Sequence, residues 1–152
     1  GASSDANSLD DYEEGSWTPT FIAGSGATYN YGGSGHQVGR YIKIGRAVHL
    51  IARLELNGSG NTAGSGLLQI GAMPFTTDST ANTYGNIAIG LTTGFGGTVG
   101  APTHGFTNTN AVTADLQVYD NDGGNVSGTT NANAADAGDD AGIIFQALYF
   151  TA

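Results

Sequence analysis

Cysteine is absent from the 152-residue chain, so the fold contains neither a disulfide nor a thiolate metal site. Only 4 side chains are Lys or Arg, against 13 that are Asp or Glu, and the net charge is −9. Nucleic acids and anionic membranes are bound through clustered Lys and Arg, so we expect neither as a partner. No apolar run is long enough to span a bilayer, which argues against membrane insertion, and the first residues lack a signal-peptide pattern.

Large apolar side chains are also scarce. Leu, Ile, Val and Phe together account for 30 of 152 residues, whereas glycine alone accounts for 26. Glycine loses more backbone entropy on folding than other residues, and so little apolar mass leaves only a thin core. Disorder is disfavoured because several segments are rich in β-branched and aromatic residues. The composition therefore predicts one all-β domain that completes its core by binding identical copies.

Short runs with a two-residue alternation, separated by clusters of Gly, Ser, Asn, Thr and Asp, recur along the chain and are typical of all-β proteins. The clearest run covers 46–56, where one row is apolar and the other semi-polar. We expect the apolar row in the core and the other row at solvent or a subunit interface. The apolar row is Val48, Leu50, Ala52, Leu54 and Leu56; the semi-polar row is His49, Ile51, Arg53 and Glu55.

The last predicted strand, 143–150, is apolar on both faces, and such a strand is normally covered on both. We therefore expect a neighbouring subunit to cover one of its rows. The segments 93–112 and 120–140 are predicted to be long polar loops. The remaining predicted strands are 17–22, 27–31, 39–44, 67–70, 86–92 and 114–119.

Four motifs follow one another in the chain. They are LDDYEEGSWTPTF at 9–21, GRYIKIGRAV at 39–48, LLQIGAMPF at 67–75, and a closing strand with aromatic residues at 143–151. In this order they resemble a recurrent C-terminal module of bacteriophage tail fibres and tailspikes. In that family an acidic lead runs into a first strand written W/F-T-P, followed by a G-x-Y-x-K-x-G-x-x-V hairpin. The resemblance covers most of the chain, although 93–140 matches no part of the family pattern.

The resemblance implies an antiparallel β-sandwich of the jelly-roll kind that forms a homotrimer. It divides the chain into an acidic lead or linker at 1–15 and a sandwich domain at 16–152. The first three residues, Gly1, Ala2 and Ser3, resemble the remnant of an expression tag, which suggests an excised domain.

The implied function is non-catalytic: to hold the trimer together and to bind a glycan or a protein on the bacterial surface. The implied location is the virion tail, outside the cell. The trimer interface is expected to involve both the acidic lead and the last strand. Its candidate residues are Tyr12, Trp17, Arg53, Phe145, Tyr149 and Phe150.

Five aromatic side chains are candidates for ligand binding, because an aromatic ring combines an apolar face with polar surroundings that suit a sugar. Phe95, His104 and Phe106 lie in the segment predicted as a long polar loop, and Tyr84 and Tyr119 come next. The alternative for each of them is an anchor that buries a loop.

Asp120 and Asp122, in the run YDNDGGN, alternate as the first ligands of a calcium loop do, but no Glu closes the loop. An Asx/Gly turn that leaves a strand is the favoured interpretation of this run. We therefore expect no cofactor, and Ca²⁺ at Asp120 and Asp122 is the alternative. No nucleophile elbow, P-loop or dinucleotide motif occurs, and the neighbouring acids of the lead do not resemble a glycosidase pair. We therefore predict that the domain is not an enzyme.

All four cations lie between Arg40 and Arg53, whereas the acids concentrate in 10–14 and 115–140. The acidic lead is therefore expected to dock on the basic hairpin, within one chain or across a subunit boundary. Independently solvated charges are the alternative, since exposed ion pairs contribute only about 0–1 kcal/mol.

Two further functions remain open. The first is a purely structural trimer cap or folding module, with the receptor bound elsewhere on the fibre. The second is a carbohydrate-binding module of a secreted enzyme, which predicts a stable monomer with one aromatic groove.

Overall fold

The computed structural model describes residues 11–33, 36–97, 99–122, 125–131 and 137–152, with side chains except at 120–122 and 125–131. Every regular element in these ranges is a β-strand. The strands are β1 (Tyr12–Trp17), β2 (Thr20–Ile22), β3 (Gln37–Ile44), β4 (Ala47–Glu55), β5 (Gln69–Gly71), β6 (Asn86–Phe95), β7 (His104–Thr107), β8 (Ala114–Asp122), β9 (Asn125–Asn131) and β10 (Ala137–Phe150). The predicted all-β class is confirmed for this part of the chain.

The strands form one antiparallel sheet in the order β1-β3-β4-β10-β6-β7-β8-β5-β2, and β9 pairs with β8. Its two end strands, β1 and β2, follow each other directly in the chain. Only Thr18 and Pro19 separate them, a reach of about 11 Å at most. The sheet must therefore curl until its two ends are close, and buried Pro19 ends β1 because it has no backbone N–H to donate.

The alternation predicted for β4 is confirmed. The apolar row of Val48, Leu50, Ala52 and Leu54 is buried. His49, Ile51 and Arg53, on the other row, are exposed. β4 lies between β3 and β10 in the sheet, so both of its edges are hydrogen-bonded. Each fully buried Leu contributes about 1.5–3 kcal/mol, and this row is the centre of the core.

The last strand, β10, has 14 residues and begins at Ala137, earlier than predicted, and it follows the same alternation from Ile143 to Phe150. One row, with Ile143, Phe145 and Tyr149, is buried in the chain's own core. The placement of Phe145 and Tyr149 in a trimer interface was therefore wrong. Trp17 was also wrong as an interface residue, because it is 8% exposed and its ring packs edge-on against Phe145 at 6.3 Å.

The motifs that carry the family resemblance pack against one another. Gly39 faces Trp17 across the β1–β3 pair, and a Cβ at Gly39 would overlap the Trp17 indole. Gly15 faces Tyr41 in the same way, with the Tyr41 hydroxyl 2.6 Å from where a Cβ would lie. Tyr41 then meets the Phe75 ring edge-on at 5.1 Å. The two glycines allow the aromatic rings to lie directly over the neighbouring strand.

The end of the acidic lead forms strand β1, so the sheet begins before the predicted boundary at residue 16. Asp11 pairs with Lys43 at 3.2 Å, and Glu13 accepts a hydrogen bond from the Tyr41 hydroxyl at 2.7 Å. That hydrogen bond raises the pKa of Tyr41. The docking of the lead on the basic hairpin is confirmed, and it occurs within one chain.

Several predicted boundaries differ from the structure. The segment 93–112 contains β7, and 120–140 contains β9 and the start of β10, so neither segment is one continuous loop. Residues 27–31 form no strand. Instead, Thr28 pairs with Thr62 and Ser25 with Ser65, which joins the 23–31 segment to the glycine-rich 57–66 segment.

Arg46, in the β3–β4 turn, holds the end of β10. Its Nε donates a hydrogen bond to the Thr151 carbonyl at 2.9 Å, and its guanidinium pairs with Asp78. The Asp78 carboxylate also accepts hydrogen bonds from the Thr80 N–H at 2.8 Å and the Thr80 hydroxyl at 2.9 Å. These hydrogen bonds, and the nearby Arg46 charge, lower the pKa of Asp78. Three segments that are distant in sequence therefore meet at the Arg46 side chain.

Substitution of Gly39 by Ala is expected to destabilise the fold by about 1–3 kcal/mol, because buried Trp17 has no room to move away from the new methyl group. Urea unfolding monitored by the fluorescence of Trp17, the single tryptophan, measures the change. Gly96→Ala is the control, since a Cβ there meets no atom within 4 Å. Equal unfolding midpoints for the two variants would contradict the packing argument.

Asp78→Asn is expected to be less stable than the parent chain at neutral pH, with a difference that disappears in acid. Because the pKa of Asp78 is lower in the folded chain than in the unfolded chain, its charge stabilises the fold at pH values above the unfolded-state pKa of about 3.9. This stabilisation is lost as the pH falls through the folded-state pKa. Thermal unfolding from neutral pH to about pH 2 tests it. A loss of stability that does not depend on pH would show that the charge of Asp78 is unimportant.

Candidate functional site

The outward rows of β3, β4, β10 and β6 lie side by side. The pairing aligns Val38, Arg53, Ile144 and Leu91 across the four strands. Two further aligned rows are Arg40, Ile51, Gln146 and Ala88, and Ile42, His49, Leu148 and Asn86; Ile44, Ala47 and Phe150 form a shorter row on three strands. We call this surface the apolar face, after its eight large apolar members. These are Val38, Ile42, Ile44, Ile51, Leu91, Ile144, Leu148 and Phe150.

The eight large side chains of the apolar face are each 41–58% exposed. With half of roughly 200 Å² per large side chain accessible, they present on the order of 800 Å². The largest apolar patch of a typical monomer is about 300–600 Å². A standard protein–protein interface buries about 800 Å² on each partner. The apolar face is therefore large enough to form such an interface.

The apolar face is balanced in charge, although the chain carries −9. Arg40 and Arg53 on this face are matched by Glu55 and, on neighbouring β1, by Glu14. Arg53 pairs with Glu55, whereas Arg40 has no carboxylate within 4 Å among the residues that the structure describes. Two copies that approached through this face would bring no excess of negative charge into direct contact.

An open groove of about 380 Å³ crosses the apolar face between β3, β4 and β10. Val38, Ile51 and Ile144 form its apolar walls, and Arg40 and Arg53 lie along it. The semi-polar row of Ile51 was expected at solvent or an interface, and one row of 143–150 was expected under a neighbouring subunit, whereas the β3 half of this surface was not predicted. The alternation of Val38, Arg40 and Ile42 in VGRYIKI is the signal that was available.

Three of the predicted interface residues are exposed. Arg53 and Phe150 lie on the apolar face, and Tyr12 lies beside it on β1, opposite Ile44. The Tyr12 hydroxyl donates to Glu14 at 2.6 Å, and this hydrogen bond raises the pKa of Tyr12. These three residues are accessible to a second copy.

Four of the five predicted ligand residues form two ring pairs on and beside β7. The Tyr84 and Phe106 rings meet edge-on at 5.4 Å, and the His104 ring stacks on Tyr119 at 4.5 Å. We call these four residues the aromatic patch. Phe95 lies elsewhere and is half-buried, with its ring edge-on to Phe21 at 6.3 Å in the core. For Phe95 the structure favours the loop-anchor alternative.

Polar groups flank the aromatic patch. Asp115 lies opposite Phe106 on β8, and Asn86 lies opposite Phe106 on β6. One oxygen of Asp115, Oδ1, accepts hydrogen bonds from Gln69 at 2.6 Å and from Asn108 at 2.8 Å. These two amides hold the carboxylate in one orientation beside the rings.

The turn expected at Asp120 and Asp122, and the calcium site that is its alternative, both stay predictions. The backbone of Asp120 and Asp122 belongs to β8, opposite Gly128 and Asn125 of β9, which is the hairpin geometry expected of the turn. The side chains of both residues lie outside the described part of the structure. Within the described part, no three His, Asp or Glu side chains form a group that could hold a metal ion.

Comparison with protein-family models, curated proteins and solved structures finds no match to this chain. None of the described segments is a helix long and apolar enough to cross a membrane.

Proposed function

We propose that this chain is a non-catalytic C-terminal domain of a phage tail fibre or tailspike, which forms a homotrimer and binds the bacterial surface. The observation that carries the assembly role is the apolar face, which one chain leaves uncovered. The fibre context and the number three come from the ordered motifs of the sequence. The same motifs are the basis for proposing that the domain belongs to the virion tail, outside the cell.

The finer fold that we propose is a β-sandwich of the jelly-roll kind. Phe21 of β2, Ile70 of β5 and Leu116 of β8 share one core with Leu50 of β4 and Phe145 of β10. This shared core supports an arrangement of two packed layers, with β2, β5 and β8 in one layer and β4 and β10 in the other.

Identical copies are the occupant that best fits the apolar face. The exposed area matches what one partner buries in a stable complex, and the balanced charge permits the approach of a second strongly acidic chain. Arg40, which lacks a carboxylate partner among the described residues, is available to an acid of the neighbouring copy. A trimer would also bring three copies of any binding site to one fibre tip, where weak single contacts add up to firm adsorption.

A carbohydrate-binding module of a secreted enzyme is the second candidate, and the aromatic patch is the observation that favours it. A module of this kind functions as a monomer. It leaves the uncovered apolar face without an explanation, so we place it second.

Light scattering over a dilution series is expected to show three times the 15.3 kDa chain mass. Leu148→Glu is expected to shift the mass to that of one chain, because it places a new carboxylate in the centre of the buried face. Circular dichroism should remain unchanged, since the Leu148 side chain is 52% exposed within one chain. Val112→Glu is the matched control, because Val112 is 41% exposed in the turn before β8, outside the apolar face.

A monomeric parent chain at all concentrations would contradict the assembly proposal and favour the sugar-binding module. A Leu148→Glu variant that remains trimeric would show that a different surface forms the interface. For the surface-binding role, the fluorescently labelled trimer is incubated with whole bacteria. Binding to some strains supports the role, and a trimer that binds none would favour the purely structural cap.

A further inference from the structure

We infer that the aromatic patch binds an uncharged sugar residue of a surface glycan. The inference rests on the proposed surface-binding function and assigns to it a site and a ligand class. The patch is made of Tyr84, His104, Phe106 and Tyr119, on and beside β7 and β8. β7 and β8 take no part in the apolar face, but the patch adjoins it along β6, whose Asn86 and Ala88 end two rows of the apolar face and lie opposite Phe106 and His104.

The register of the strands determines what surrounds the rings. His104 and Phe106 are two residues apart on β7 and therefore face the same side. Ala88 and Asn86 of β6 lie opposite them on one flank, and Asp115 of β8 lies opposite Phe106 on the other. The methyl group of Ala88 leaves space beside the His104 ring.

The rings are held in place before any ligand arrives. Tyr84 and Tyr119 are 55% and 52% exposed, and each contacts a less exposed ring, Phe106 and His104 respectively. The Thr103 hydroxyl lies 3.0 Å from His104 Nδ1, which also restricts that ring. Sugars place the C–H groups of one ring face against aromatic surfaces, and binding costs less conformational entropy when those surfaces are already ordered.

Asp115 and Asn86 provide partners for hydroxyl groups at the edge of a sugar. Oδ1 of Asp115 is occupied by the Gln69 and Asn108 amides, whereas its Oδ2 accepts no hydrogen bond from the residues that the structure describes. An oriented carboxylate oxygen is a strong acceptor for a hydroxyl donor. The exposed Asn86 amide, on the opposite flank, both donates and accepts.

The distribution of charge selects against acidic sugars. All four Lys and Arg residues of the chain lie between positions 40 and 53. β4, which carries Arg53, is three strands away from β7 in the sheet, about 14 Å at the usual strand spacing. That distance exceeds the screening length of about 8–10 Å in physiological salt. Arg40 lies one strand farther away, on β3, and Lys43 and Arg46 are paired with Asp11 and Asp78. A carboxylate on the ligand would therefore meet Asp115 without an unpaired cation beside it, so an uncharged sugar is the class that fits.

The test applies the full chain to immobilised neutral oligosaccharides of hexoses and N-acetylhexosamines, and to matched ones that carry uronic or sialic acid. We expect binding to members of the neutral set and none to their acidic counterparts. Tyr84→Ala and Tyr119→Ala should each weaken binding tenfold or more, whereas Tyr84→Phe and Tyr119→Phe, which keep the rings, should retain it. Asp115→Asn keeps the acceptor for Gln69 and Asn108 but replaces the free oxygen, and should weaken binding several-fold.

Light scattering on the same samples separates this inference from the assembly proposal. A trimer that binds none of the neutral sugars, or binds the acidic ones equally well, overturns the inference and leaves the assembly proposal standing. Binding that survives both Tyr→Ala changes overturns the assignment to this patch. A monomer that binds neutral sugars through the two tyrosines supports the inference while contradicting the trimer.

Discussion

The central position of β10 is the constraint on which the rest of the structure depends. β10 pairs with β4 on one side and β6 on the other, so its two rows belong to the two faces of the sheet. One row, with Phe145 and Tyr149, is buried in the core of the chain, and the other, with Ile144 and Leu148, is exposed. Because both rows are apolar, one chain covers only half of this strand, and the other half is the part that the proposed assembly would cover.

The chain compensates for its few aliphatic residues with aromatic rings packed over glycines. Trp17 over Gly39 and Tyr41 over Gly15 attach β1 to the sheet, and Phe75 extends the same cluster from a different segment. These residues are the ones that carry the family resemblance. Their packing shows that the motifs specify how the first strand joins the fold, and it leaves ligand binding to other parts of the molecule.

The sequence analysis was most accurate where the signal is local. The two rows of β4 and of β10 were predicted correctly, since side chains two residues apart share a face in any strand. Trp17, Phe145 and Tyr149 were wrongly placed in an interface because alternation groups residues by face without showing which face is inside. The strand β7 was missed because it has only four residues, and β9 was missed because its Asn and Gly residues are uncommon in strands. Four candidate ligand residues do meet, although the sequence offered no reason to pair them.

The sequence by itself determined the all-β class, the alternating rows and the attraction between the acidic lead and the basic hairpin. These depend on local periodicity and on composition. Only the tertiary structure decided that β1 and β2 lie at opposite ends of one curled sheet, and that His104 stacks on Tyr119. It also decided that outward rows of β3, β4, β10 and β6 combine into one apolar face. Such features arise from hydrogen bonds between strands distant in the chain, whose order and register no local pattern encodes.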